Sequence, residues 1–246
     1  MTISYRGYRF PSEVIQHGVW LYLRFTLSFR DVEDLLAERG IIVSYETIRR
    51  WVDHFGPLIA ADLRRRRCRP HSTWHLDEMV VSIGGRRMYL WRAVDAEGEI
   101  LDVLVQARRD TRAARRLMLK LLKRQGTAPS VVVTDRLSSY RAAFRDLGLS
   151  ARHVQGKRRN NRAENSHVPI RRRERKMQGF RSPGGAQRFL SSHATVYNLF
   201  NHCRHLTSAR THRHFRREAM TGWRGQRGCQ PDRRRTPAPI RRPSTT

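Results

Sequence analysis

Cysteine, lysine, acidic residues and long apolar runs are all scarce in this chain, and each shortage removes a class of protein. The three cysteines, Cys68, Cys203 and Cys229, stand far apart without a C-x-x-C pair. Neither a disulfide framework nor a zinc ribbon is indicated, and a reducing compartment fits. The longest apolar run, Val19 to Leu23, is far too short to span a bilayer, and Arg6 and Arg9 precede no small-residue cleavage site. The expected place is therefore the cytoplasm, with no membrane partner. Acids number 21 against 50 Lys and Arg, leaving a formal charge of +29 and a pI near 11.7. Such an excess makes a polyanion, nucleic acid first, the default partner. Only four of the bases are Lys (120, 123, 157 and 176), and the other 46 are Arg, whose planar fork suits phosphate.

At 246 residues the chain can hold one sizeable core and a smaller accessory domain. Residues 11 to 25 read as a helix opened by Pro11 and Ser12, with Val14, Ile15, Val19 and Leu23 at helical spacing. A second helix starts near Phe29 and can end at Gly40, which adopts a left-handed cap cheaply. Ser44 can cap a third, in which Ile48, Trp51, Val52 and Phe55 mark one face. Two such helices about a tight glycine-bearing turn make a helix-turn-helix, whose second helix would offer Thr47, Arg49 and Arg50 to a DNA major groove. An ordinary helical hairpin is the competing reading, because residues 1 to 56 carry seven Arg and seven acids. The Arg64 to Arg67 run with Arg69 and Pro70 reads as an exposed basic linker.

From Trp74 the pattern changes from helical to alternating. His75, Asp77, Met79, Val81 and Ile83 share one side of a strand, Gly84-Gly85 supplies a turn, and Arg86 to Val94 and Ile100 to Val105 continue an antiparallel meander. A helix from about Thr111 to Gln125, an all-apolar strand Val131 to Val133, a helix near Ser138 to Leu147 and a short strand Ala151 to Val154 follow. Asn160-Asn161 leads into a helix carrying Glu164, and a last helix runs from Gln187 to about Leu206. This element order is that of an α/β, ribonuclease-H-like fold: a mixed five-stranded sheet flanked by helices, here behind an N-terminal all-α helix-turn-helix domain. The expected organisation is a DNA-binding domain over 1–63, the linker over 64–73, a catalytic domain over 74–206 and an Arg-rich, largely disordered tail over 207–246.

Asp77 is the residue around which the rest is arranged, because an unpaired charge inside an apolar strand is expensive and is usually kept for a metal or for catalysis. Cleaving or joining phosphodiesters in this fold requires oxygen ligands for two divalent ions about 3.5 to 4 Å apart. Carboxylates suit Mg²⁺, with Mn²⁺ as a substitute. Asp135 ends the fourth strand beside Asp77, and Glu164 lies on a helix that should face them. Glu174, between Arg173 and Arg175, reads more simply as a surface ion pair, and Asp135 could also merely cap its helix. Glu78 falls on the opposite strand face from Asp77 and is expected to support rather than ligate. Arg171, two helical turns beyond Glu164, is placed to hold a DNA phosphate, with Arg172 and Arg173 beside it. The His202, Cys203, His205, His212 and His214 group matches no common zinc spacing.

Trp74-His75-x-Asp77-Glu78, Thr134-Asp135 with Tyr140, and Asn160-Asn161-Arg162-x-Glu164-Asn165-Ser166-His167 together resemble the signature blocks of bacterial insertion-sequence DDE transposases, nearest the IS-six type. The likeness extends from about Tyr5 to Trp223. Met79 and Arg136 depart from the residues common in the family. The resemblance implies a helix-turn-helix that recognises terminal inverted repeats, and Asp77, Asp135 and Glu164 as a Mg²⁺-binding catalytic triad. It further implies double-stranded DNA as the partner, cleavage and strand transfer as the reaction, and replicative cointegrates as the typical outcome. Pairing two element ends calls for a homodimer or larger homo-oligomer at the nucleoid. Two other functions remain open from the residues: a ribonuclease-H-like nuclease without strand transfer, and a regulator in which only the helix-turn-helix acts.

Overall fold

The computed structural model describes residues 3–135, 137–156, 158–201 and 207–225. Three helices come first: α1 (Ser12–Arg24), α2 (Phe29–Ala37) and α3 (Tyr45–Arg65). The start of α2 is set by a capping box, in which Ser28 Oγ accepts from the Asp31 amide (3.1 Å) and Asp31 Oδ2 accepts from the Ser28 amide (2.8 Å). Ser44 caps α3 through the Thr47 amide. This third helix runs through Pro57 into the stretch expected to be a linker. Its apolar stripe continues past Phe55 to Ile59 and Ala60, both buried, and packing holds the last turns.

The sheet is built from β1 (Thr73–Ile83), β2 (Arg86–Asp95), β3 (Ile100–Gln106), β4 (Val131–Thr134) and β5 (Arg152–Gln155), ordered β3-β2-β1-β4-β5. The first three strands are antiparallel, while β4 runs parallel to β1 and β5 parallel to β4. That strand order, with helices on both faces, is the ribonuclease-H-like arrangement. Gly84 and Gly85 turn the first hairpin at positive φ, and a Cβ on Gly84 would stand 2.9 Å from the Arg181 carbonyl.

On one face α4 (Thr111–Gln125) and α5 (Ser138–Asp146) bury Leu117, Leu121, Tyr140 and Phe144 against Trp74, Leu76, Trp91 and Ala93. The other face carries α6 (Asn161–Ser166), α7 (Val168–Lys176) and α8 (Pro183–Phe200), whose Ala163, Ile170 and Leu190 meet Met79, Val81, Leu90 and Val94. A single 3₁₀ turn, Arg158–Asn160, leads from β5 into α6.

A further core unites α1, α2 and α3 with Val196 and Phe200 of α8 and with Ala219 and Trp223 of a last helix, α9 (Ala209–Trp223). This corrects the tail expectation over 209–223. Ser208 caps the helix, and Ala219 and Trp223, four residues apart, bury one face. Residues 226–246, the remainder of the tail, lie outside the described residues. The basic segment after α3 is likewise engaged rather than free: Arg64 donates to the Ser191 carbonyl and Thr195 hydroxyl, and Arg67 pairs with Glu99. Among the described residues, no helix is long and apolar enough to cross a membrane.

Candidate active site

The parallel register of β1 and β4 pairs Leu76 with Thr134, which makes Asp77 and Asp135 the next residues along two adjacent strands. Asp135 serves its own loop with one oxygen, Oδ1 accepting from the Leu137 amide at 3.0 Å ahead of α5. That bond does not cap α5, whose N-cap residue is Leu137 and has no side-chain cap, and the other oxygen stands near Arg109. One carboxylate oxygen each of Asp77, Glu78 and Asp135 lies within 4.8 Å of the others.

Glu78 is therefore the first departure from expectation. Strand alternation does send it to the α4/α5 side, where Tyr140 donates its hydroxyl proton to Glu78 Oε2 at 2.8 Å. Yet β4 ends at Thr134, so at residues 77 and 78 the β1 backbone has lost that neighbour and both side chains reach the rim beside Asp135. Glu78 is also committed on its second oxygen: Arg109, in the loop between β3 and α4, donates Nε–H to Oε1 at 2.6 Å, and its Nη2 lies 3.4 Å from Asp135 Oδ2. Burial raises the Glu78 pKa, against the Tyr140 and Arg109 hydrogen bonds that lower it. Burial likewise lifts the Tyr140 hydroxyl well above its ordinary range, so it stays a donor.

Asp77 is anchored differently. His167, buried at the α6–α7 junction, places Nε2 3.2 Å from Asp77 Oδ2. A carboxylate can only accept, so Nε2 carries the proton and donates. Burial pushes the His167 pKa down, opposed by the hydrogen bond to Asp77. Across the ladder Asp77 is paired with Arg92, which is fully buried and has no hydrogen-bond partner among the described residues. Burial lowers its pKa to about 9, which still leaves it charged at neutral pH.

The structure thus brings together two of the three expected acids and adds Glu78. Glu164 is on α6 and exposed, outside the group of oxygens that converge within 4.8 Å. Glu174 pairs with Arg171 at 3.4 Å, as a surface reading expects. Arg171 and Arg172 are exposed. Arg173 is not: it is 1% exposed, donates Nη1–H to the carbonyls of Phe25 (2.9 Å) and Leu27 (2.6 Å), and lies 4.0 Å over the Tyr22 ring. Its expected DNA contact is corrected to a structural one, fastening α7 to the α1–α2 loop. Ile170, one turn earlier on the same buried face, was the available signal.

At the start of α3, Arg49 is held by Glu46 (2.6 Å) and Asp53 (3.1 Å), and the Thr47 hydroxyl lies 3.0 Å from Ser44 Oγ. Arg50 is the most open of the three, its side chain 75% exposed. Of the histidine and cysteine group considered for zinc, His202, Cys203 and His205 lie outside the described residues, and His214 pairs with Glu218.

Residues 71–203 match a transposase family described as a DDE domain. The transposase for insertion sequence-like element IS431mec of Staphylococcus aureus is 31% identical over 201 residues, covering 80% of this chain and 88% of that protein. The transposase of insertion sequence element IS257 in transposon Tn4003, also from Staphylococcus aureus, is 30% identical over the same lengths. Among solved structures, the catalytic core domain of HTLV-2 integrase in complex with magnesium covers 55% of this chain and 88% of its own, at 11% identity and a TM-score of 0.39.

Proposed function

The chain belongs to the DDE transposases of the IS-six type, and from that premise we propose that it binds the terminal inverted repeats of its own insertion sequence, cuts there to expose 3′ hydroxyls, and joins those hydroxyls to target DNA. The observation that carries the reading is the meeting of Asp77 and Asp135 at the rim of the sheet, on the strands that this chemistry uses. Their donor set is all oxygen, which fits a hard divalent ion. Asp77 and Asp135 would hold it, with Glu164 of α6 as the third catalytic acid. When bound, two such ions supply the positive charge that activates the attacking oxygen and stabilises the leaving one.

The chain's own groups do the rest. His167 holds the carboxylate of Asp77 in one orientation. Tyr140 and Arg109 occupy the oxygens of Glu78 and keep that acid in a supporting role, with Arg109 reaching on to Asp135. Exposed Arg171 and Arg172 lie beyond Glu164 and offer phosphate contacts, and Arg50 offers one from α3. Use of both element ends calls for two copies of the chain, acting at the nucleoid.

Replacing Asp77 or Asp135 by Asn, or Glu164 by Gln, is expected to lower Mg²⁺-dependent cleavage of a terminal-repeat duplex by about 10³-fold or more, with repeat binding largely kept. Cleavage that survives any one of these changes removes that residue from the triad. Products joined to a target duplex separate a transposase from a nuclease that stops at hydrolysis.

A further inference from the structure

We propose that Asn160 and His167 are positioning residues that clamp the helix carrying Glu164 onto β1, so that the Glu164 carboxylate is delivered to Asp77 and Asp135. The inference rests on the metal-site reading above. It starts from the shortness of α6, which is six residues long. A helix of that length cannot hold its own conformation, still less its place, by local hydrogen bonds. It needs tertiary anchors on both sides of the functional residue.

Two such anchors are present, and they land on consecutive residues of β1. At the N-terminal side, the buried side chain of Asn160 donates Nδ2–H to the Leu76 carbonyl at 2.8 Å. At the C-terminal side, His167 Nε2 meets Asp77 Oδ2 at 3.2 Å, while the His167 amide bonds back to the Glu164 carbonyl at 3.0 Å. Asn160 closes the 3₁₀ turn before α6 and His167 follows the last residue of α6, so the two anchors bracket the helix that bears Glu164. Both are bonded to β1, and Glu164 between them is exposed. Ala163, fully buried, seats the same turn in the core. One bond therefore does two things: it fixes the orientation of Asp77 and ties that acid to the element bearing the third one.

An ordinary buried histidine would show different behaviour, and full-length protein titrated with Mn²⁺ alone, followed by electron paramagnetic resonance of the free ion, tells the two apart. His167→Phe fills the space without a donor, whereas His167→Gln returns an N–H to the same region. His167→Phe is expected to weaken Mn²⁺ binding by roughly 10- to 100-fold, as loss of an orienting partner does at other metal sites, with His167→Gln recovering most of it. In the same assay Glu164→Gln should cost the wild-type protein affinity but cost His167→Phe little more, since the clamp is already open. Equal affinities for the Phe and Gln variants, or additive losses with Glu164→Gln, overturn the clamp. Should His167→Phe not fold, Asn160→Ala removes the other anchor and carries the same expectation. Asp77→Asn is the control: if it too leaves Mn²⁺ binding unchanged, the metal-site reading itself fails. If it abolishes binding while His167→Phe leaves the affinity at the wild-type value, only the clamp does.

Discussion

Arg171 and Arg173 stand two positions apart in one basic run and have opposite surroundings, the first exposed and the second sealed against Tyr22 and two carbonyls. Arg173→Met removes charged donors from the Phe25 and Leu27 carbonyls and should destabilise the fold by about 3 kcal/mol, read as a lower urea midpoint. Arg171→Ala should leave stability within about 0.5 kcal/mol and reduce the salt slope of DNA binding by about one. Arg92 presents the reverse case. A buried guanidinium without a hydrogen-bond partner among the described residues costs stability, so Arg92→Met is expected to raise the melting temperature. The size should be about 1–4 kcal/mol, the range seen when buried ionic groups are replaced by apolar ones, and calorimetry would measure it.

At the scale of elements, α2 and α7 are joined by Lys176 and Asp31, 2.8 Å apart, at the capping box of α2. The Lys176 hydrogen bond, then the Ser28 contacts, hold the Asp31 pKa down to about 2 from 3.8. A depressed carboxylate stabilises the fold above its unfolded pKa, and that contribution is lost as pH falls from about 4 to about 2. Asp31→Asn should flatten the acid limb of a stability–pH curve over that window. The effect will be modest, because the pair is partly exposed and solvent-screened. In α9, Trp223→Ala empties a buried site and should cost about 3–5 kcal/mol, lowering the melting temperature by about 10 °C.

The strands and the positions of Asp77 and Asp135 were legible in the sequence, because alternation, turn glycines and an all-apolar β4 are local signals. What stayed hidden depended on distant partners. Whether an arginine in a run of arginines is buried depends on a ring 151 positions away, as Arg173 and Tyr22 are. Glu78 was set aside by alternation, which says which face a side chain leaves from but not where a neighbouring strand stops. α9 was obscured by Arg210, Arg213, Arg216 and Arg217, all exposed, which mask the two buried positions Ala219 and Trp223.

At the scale of the whole molecule, a formal charge of +29 gives DNA binding a large nonspecific component that should fall steeply with salt. The helices that would read DNA and the sheet that would cut it are not separate bodies. One end of α8 contributes Val196 and Phe200 to the N-terminal core, and the other contributes Ala186, Leu190 and Ala194 to the sheet core. For exchange between related elements this has a practical meaning. A hybrid that takes only residues 1–70 from a relative inherits a helical unit whose packing surface was left behind in the other parent. Viable hybrids would have to carry the matching segment from about 189 to 223 with it, so the two segments should travel together.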